Sequence, residues 1–323
     1  MLLEIDDLHI QFESEGHVTR AVEGVSLTLD RGEVLGLVGE SGCGKSATAM
    51  SIPRLLPSPP SRITKGRILF DGTDILSLPI KQLRELRGAK IGVIFQDPMT
   101  SLSPLHRVGE QLVEVVRLHR DVSVAAARDL ALDWLERVGI PDPEIRSRAY
   151  PYELSGGMQQ RVMIAMGMIL EPDLMIADEP TTALDVTIQA QILGLMRKLH
   201  RKNSGLLLIT HDMGVVYQMA TRIAVMYAGQ IVEQADAETF FKAPKHPYSR
   251  ALLAALPSAE TRGERLKAIP GQVPAAGAFP PGCRFHDRCS ESHPECAANP
   301  PALRAIDGNR LVRCPYAGTA NDE

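Results

Sequence analysis

Short apolar runs alternate with longer stretches of helical periodicity along most of this chain. Residues 2–5, 8–12 and 26–29 read as short strands, with a turn at Asp30, Arg31 and Gly32. "EVLGLV" is apolar almost without a break, the pattern of a strand covered on both faces. It runs into a glycine-rich loop, and a helix is predicted from Lys45. "SPPSRITKG" reads as a loop and "RILFDG" as a strand with a turn. "IGVIFQ" is a further buried strand, closing at Gln96. From about residue 105 to 170 the spacing is helical, as in "LALDWLERVGI". Two more apolar strands, "LMIADE" and "GLLLITHD", flank a helix over "TIQAQILGLMRKLHRK". "RIAVMYAGQIVEQ" reads as a hairpin turning at Ala228 and Gly229. Strands alternating with helices predict an α/β fold, a mainly parallel sheet with helices on both faces.

The pattern changes after "KHPYSRALLAALP". There, Pro247 is placed to begin a helix and His246 to set its start. "PGQVPAAGAFPPG" is rich in Pro, Gly and Ala, which marks a linker and puts a domain boundary near Pro257. No internal repeat is visible. The 323 residues suffice for one large or two moderate domains, and 44% hydrophobic with 23% charged residues is ordinary for a soluble globular protein. A net charge of −4 gives no support to nucleic-acid binding through overall positive charge. The start, "MLLEIDDLHI", is too acidic for a signal peptide, and no apolar run approaches the ~20 residues of a spanning helix. Any work at a membrane is therefore expected of a docked subunit. Of five cysteines, Cys43 stands alone and the other four fall between residues 283 and 314. Outside a small secreted domain, that clustering points to metal ligation in a reducing cytoplasm.

Several strand ends carry chemistry. "GESGCGKS", residues 39–46, fits G-x-x-x-x-G-K-[ST]: its glycines let successive N–H groups face phosphates, Lys45 reaches the β/γ-phosphates and Ser46 ligates Mg2+. In "LMIADE", Asp178 is placed for the magnesium shell and Glu179 as general base toward water. Alone, such an acidic pair reads as a solvated turn; beside the phosphate loop it reads as catalytic. Gln96 and His211 also close apolar strands, and ligands of open α/β sheets bind beyond the carboxyl ends of strands. These residues are expected to converge on one phosphate cluster. Cys43, in a loop rich in N–H donors at a helix N-terminus, is expected to have a lowered thiol pKa and to react with thiol reagents unless MgATP protects it.

"LSGGMQQR" adds a second cradle. Ser155 is a natural N-cap, and Met158, Val162, Met166 and Ile169 follow at helical spacing. The two glycines between leave the first turn's N–H groups bare, a terminus suited to an anion. In order, the phosphate loop, Gln96, "LSGGMQQR", "LMIADEP", "TTALD" and "LITHD" resemble the ATP-binding cassette ATPases over about residues 1–257. The resemblance implies a P-loop NTPase core, an antiparallel β subdomain and a helical signature subdomain over about residues 97–170. It implies ATP held by Gly39, Glu40, Ser41, Gly42, Cys43, Gly44, Lys45, Ser46 and Ala47, with Mg2+ on Ser46, Gln96 and Asp178. Glu179, His211 and Gln96 would be catalytic. Two such ATPases pair head to tail, so that Ser155, Gly156, Gly157 and Gln159 serve the partner's ATP and Asp185 lies along the interface. Phe12 aligns where the family stacks an aromatic on adenine; a half-buried strand residue is the other reading. Cys43 departs from the family's usual serine.

Residues 245–323 more narrowly resemble the C-terminal extension of ATPases from oligopeptide and dipeptide importers, a group that includes nickel importers. That implies a peripheral subunit on the cytoplasmic face of the cell membrane, with two membrane permease subunits, an extracytoplasmic solute-binding protein and a second, usually non-identical ATPase. The transported solute, peptide or nickel, does not touch this chain. Cys283, Cys289, Cys296 and Cys314 are spaced C-x5-C-x6-C-x17-C, without the close pair that zinc sites favour. With Pro315 after the last cysteine, and with the subfamily's known cluster, they point to a [4Fe–4S] cluster, zinc being the alternative. Its role is expected to be structural or docking, since it is distant in sequence from every ATP motif. Two other classes stay open: a soluble cassette protein acting on DNA or ribosomes, and an iron–sulfur redox sensor. The first calls for a second cassette or a long coiled-coil insertion, and neither stands between Gln96 and Leu154. The intact catalytic set argues against the second.

Overall fold

The computed structural model describes residues 1–14, 16–182, 184–256 and 268–317. Among these residues, twelve strands form two sheets: β1 (Leu3–Ser14), β2 (His17–Leu29), β3 (Val34–Val38), β4 (Ser61–Phe70), β5 (Thr73–Asp74), β6 (Ile91–Ile94), β7 (Leu174–Asp178), β8 (Gly205–Thr210), β9 (Arg222–Tyr227), β10 (Gln230–Asp236), β11 (Arg304–Ala305) and β12 (Leu311–Val312). The smaller sheet is antiparallel, in the order β2-β1-β4-β5, and the larger runs β11-β12-β10-β9-β3-β8-β7-β6. From β9 to β6 the larger sheet is parallel; β10 and β12 extend it antiparallel. The predicted α/β class with a mainly parallel sheet is what forms. Two predicted strands, residues 2–5 and 8–12, are one continuous strand that bulges past Asp7. The stretch read as a loop, "SPPSRITKG", is strand from Ser61 onward. Its polar residues pair with β1 at the sheet's exposed end, where no apolar alternation is needed.

Every residue of β3, β7 and β8 is buried, as expected of parallel strands covered on both faces. The pleat divides them between two cores. In β8, Leu206 and Leu208 join a core shared with the helices Val108–His119, Val124–Arg137 and Gly156–Met168. Leu207 and Ile209 point the other way, into a core shared with Leu3, Ile5 and Leu29 of the antiparallel sheet. A third core, around Tyr227, Phe240, Tyr248 and Phe285, joins β9 to the C-terminal residues. The helix Pro247–Ala254 has proline at its start, and the His246 ring accepts from the Tyr248 N–H at 3.1 Å, as the sequence predicts. The predicted boundary at Pro257 lies outside the described residues. Among the described residues, no helix is long and apolar enough to cross a membrane.

Candidate active site

β3 ends at Val38, and the chain curls through residues 39–44 into the helix Lys45–Ser51. Gly39, Gly42 and Gly44 all have positive φ, 151°, 80° and 105°. At two of them the neighbours also forbid a side chain. A Cβ at Gly39 would stand 2.1 Å from the Met226 carbonyl oxygen, and one at Gly44 would stand 2.7 Å from that of Ala21. The loop is thus wedged between β9 and β2. Lys45 is buried, and its Nζ donates to the carbonyls of Gly39 (2.7 Å) and Glu40 (3.0 Å). Ser41, Gly42 and Ser46 are exposed, while Ala47 packs on the core beneath. Cys43 contradicts the expectation of a reactive thiol. Its side chain is 0% exposed, within the core under the loop, and burial pushes the thiol pKa up despite Lys45 nearby. Ser41 and Gly42 are exposed, but at Cys43 the side chain faces in. Phe12 is half-buried opposite Thr19, its ring resting on the same core.

The acidic pair closes β7. Ser46 Oγ donates to Asp178 Oδ1 at 3.0 Å, joining hydroxyl and carboxylate in one candidate magnesium position. Burial pushes the Asp178 carboxyl up, the environment a cation would relieve. Glu179 adopts a left-handed conformation, φ 47°, and its N–H is held by the Ile209 carbonyl of β8 at 2.8 Å. Its carboxylate collects three bonds: from Gln96 Nε2 at 3.2 Å, from Thr182 Oγ1 at 2.8 Å and from His211 Nδ1 at 3.1 Å. Burial raises its pKa, but the bonds from His211 and Thr182 outweigh that and hold it below the ordinary value. Glu179 therefore stands ionised, able to accept a proton. The ends of β6, β7 and β8 meet at this one carboxylate, and Ser46 ties the neighbouring Asp178 to the phosphate loop.

The signature helix Gly156–Met168 begins as expected, with Ser155 Oγ accepting from the Met158 N–H at 3.4 Å. Gly156 opens on empty space, while a Cβ at Gly157 would meet Ile188 at 3.2 Å. Gln159 differs from its predicted role. Its amide is buried and donates to the carbonyls of Pro151 (2.8 Å) and Leu154 (3.1 Å), so it braces the turn instead of facing a ligand. Asp185 is exposed and caps the helix Val186–Leu199 through the Ile188 N–H. Among the described residues, no hydrogen bond joins this helix start to the phosphate loop. Two participants escaped sequence reasoning. Thr182 bonds Glu179, and Gln160 Nε2 donates to the Pro180 carbonyl at 2.6 Å, linking the signature helix to the loop after the acidic pair. A glutamine's hydrogen-bonding partner has no periodic signature to read.

Cys283, Cys289, Cys296 and Cys314 all line one cavity of about 510 Å³, together with His246, His286 and His293. Burial pushes the Cys289 thiol up to about 11 and raises Cys283 and Cys314 as well. Among the described residues, no three His, Cys, Asp or Glu side chains gather into a site for a single metal ion.

Comparison with known proteins agrees with this geometry. Residues 22–182 match the family model described as ABC transporter, and residues 232–296 match that of the oligopeptide/dipeptide transporter C-terminal region. The probable peptide ABC transporter ATP-binding protein y4tR of Sinorhizobium fredii is 49% identical over 97% of this chain and 94% of its own. The dipeptide transport ATP-binding protein DppD of Escherichia coli is 47% identical over 98% of this chain and 96% of its own. The oligopeptide transport ATP-binding protein OppD of Bacillus subtilis is 51% identical over 90% and 81%. Among solved structures, the dimeric ATP-binding cassette MJ0796, in a post-hydrolysis state with ADP and Pi, aligns with a TM-score of 0.66 at 26% identity. The alignment covers 73% of this chain and 99% of that one. Sharing the cassette's geometry, and much of its sequence with relatives over nearly its whole length, this chain belongs to the ABC transporter ATPases, in the group that carries the oligopeptide/dipeptide transporter C-terminal region.

Proposed function

We propose that this ATPase drives import of di- or oligopeptides through two permease subunits, from the cytoplasmic face of the membrane and paired with a second, non-identical ATPase. The observation that carries the catalytic reading is the convergence of Gln96, Thr182 and His211 on Glu179, next to an Asp178 tied to Ser46. Residues 39–47 bind the chain's own ATP, with Lys45 turning from the loop carbonyls to the phosphates. Glu179 takes the proton of the attacking water, held in place by His211 and Gln96. Magnesium, on Ser46 and Asp178 with Gln96 in reach, would neutralise charge on the β- and γ-phosphates. Ser155, Gly156 and Gly157 serve the partner's nucleotide, beside Asp185. Phe12 is the candidate stack for adenine. We assign residues 1–257 to the cassette, with its helical subdomain over about 97–170, and 258–323 to the extension. Beside Gln96 lies an apolar groove lined by Leu55, Phe95, Val115, Leu118 and Met166, which suits a permease helix.

The test is uptake in cells lacking this gene. Wild type restores uptake of labelled di- or oligopeptides, and Glu179→Gln does not. In vitro, that variant binds MgATP but hydrolyses it at least ~100-fold more slowly. Restored nickel uptake without peptide uptake would assign the alternative solute. For the extension we propose one [4Fe–4S] cluster on Cys283, Cys289, Cys296 and Cys314. What supports the reading is that all four thiols line one cavity. Held by these four thiolates, a cluster would supply a cross-link between the segments that carry them. Anaerobically purified protein should contain about four irons per chain, and one zinc with no iron overturns the assignment.

A further inference from the structure

The residue before Cys289 reaches across to the phosphate loop. Arg288 grips Glu40 with both ends of its guanidinium, Nη1 to Oε2 at 2.7 Å and Nη2 to Oε1 at 3.0 Å. Its side chain is only 5% exposed, and its other contacts hold it in place. Nε donates to the Pro270 carbonyl at 2.7 Å and Nη1 also reaches the Tyr227 hydroxyl at 3.3 Å. Behind it, the rings of Tyr227, Tyr248 and Phe285 pack with centroids 4.6–5.2 Å apart. Tyr248 contributes directly, since its hydroxyl accepts the Glu40 N–H at 2.9 Å. Arg284, one turn earlier in the same segment, bonds the Ala228 carbonyl and Glu23. The next residue, Gly229, donates its N–H to the Cys43 carbonyl at 2.9 Å. The C-terminal residues therefore hold the phosphate loop directly at Glu40 and meet the turn that bonds its Cys43 carbonyl.

Glu40 is an awkward residue in an anion cradle, because its carboxylate repels phosphate unless it is neutralised. A bidentate, buried arginine does that and fixes its direction. The second role follows from Lys45. Here Lys45 braces the loop through the carbonyls of Gly39 and Glu40, and it gives up that bracing when it turns to a phosphate. The Glu40 corner is then held by Tyr248 and Arg288. We propose that the C-terminal extension is part of the nucleotide site, with Arg288 as a positioning residue that neutralises Glu40 and holds the phosphate loop in its binding shape. Distance in sequence from the ATP motifs misleads here: the cysteine-bearing segment abuts the loop.

The proposal rests on the loop being the ATP site, so Lys45→Ala is the control. The measurements are MgATP affinity by titration, KM and kcat for ATP, and a denaturant melt to establish folding. Removing the guanidinium leaves the half-buried Glu40 carboxylate unpaired in the phosphate loop, so Arg288→Met should raise Kd and KM for ATP at least about tenfold, with kcat falling less. In Arg288→Met with Glu40→Gln, where the unpaired carboxylate is gone, most of the affinity returns. A merely structural arginine predicts no such rescue. Unchanged affinity in folded Arg288→Met, or a double variant no better than the single, overturns the proposal. Should Arg288→Met not fold, Arg288→Lys decides: a charge without the fork gives an intermediate loss, and wild-type affinity rejects the role. Full binding by Lys45→Ala would instead reject the nucleotide site itself.

Discussion

Cys43 and Glu179 show how much a single residue's setting decides. Both sit in turns at the phosphate end of the sheet, Glu179 just after β7 and Cys43 just before the helix at Lys45, and both have chemistry that depends on which way the side chain turns. Glu179 is turned into the site by a left-handed backbone and held there by three donors, of which His211 and Thr182 hold its pKa below the ordinary value against the effect of burial. Cys43 is turned under the loop, against Gly39 and the core, where its thiol is raised in pKa and shut from solvent. Iodoacetamide should therefore leave Cys43 unmodified in the native protein over a time that fully labels it in urea, as peptide mass spectrometry would show. Labelling at the denatured rate, slowed by MgATP, would restore the reactive thiol. Local sequence gave both residues an N–H-rich neighbourhood or a strand end, but no information on orientation.

At the scale of elements, the buried strands were legible because apolar residues on both faces leave few alternatives in so long a chain. β4 was half-missed because its first residues are polar and owe their conformation to pairing with β1. The links between elements were not legible either. Gln160 of the signature helix donates to the buried Pro180 carbonyl, which leads out of the acidic strand end. Gln160→Ala leaves that carbonyl without its donor and should cost about 1–3 kcal/mol of unfolding free energy, read as a lower urea midpoint at unchanged slope. An unchanged midpoint would mean that the loop finds another donor or reaches water.

For the whole molecule, the open first turn at Gly156 and the phosphate loop are the two proposed anion cradles, and no hydrogen bond among the described residues connects them. If, as proposed, the first cradle serves a partner's nucleotide, the two should act separately in the isolated chain. Ser155→Arg should leave MgATP binding by the isolated chain intact while abolishing ATP-induced pairing with the second ATPase, measured by sedimentation. A large loss of affinity in the isolated chain would place the cradle in cis.

The sequence by itself determined the buried strands of the parallel sheet, the glycine-rich loop, the acidic strand end and the cysteine spacing. Each is local: periodicity, backbone freedom and residue chemistry act over a few neighbouring positions. Tertiary structure alone decided that Cys43 faces the core, that Gln159 braces a turn and that Arg288 meets Glu40 across 248 positions of sequence. A bidentate ion pair is made by two side chains brought together through the packing of Tyr227, Tyr248 and Phe285. Nothing in the residues flanking either charge specifies that meeting.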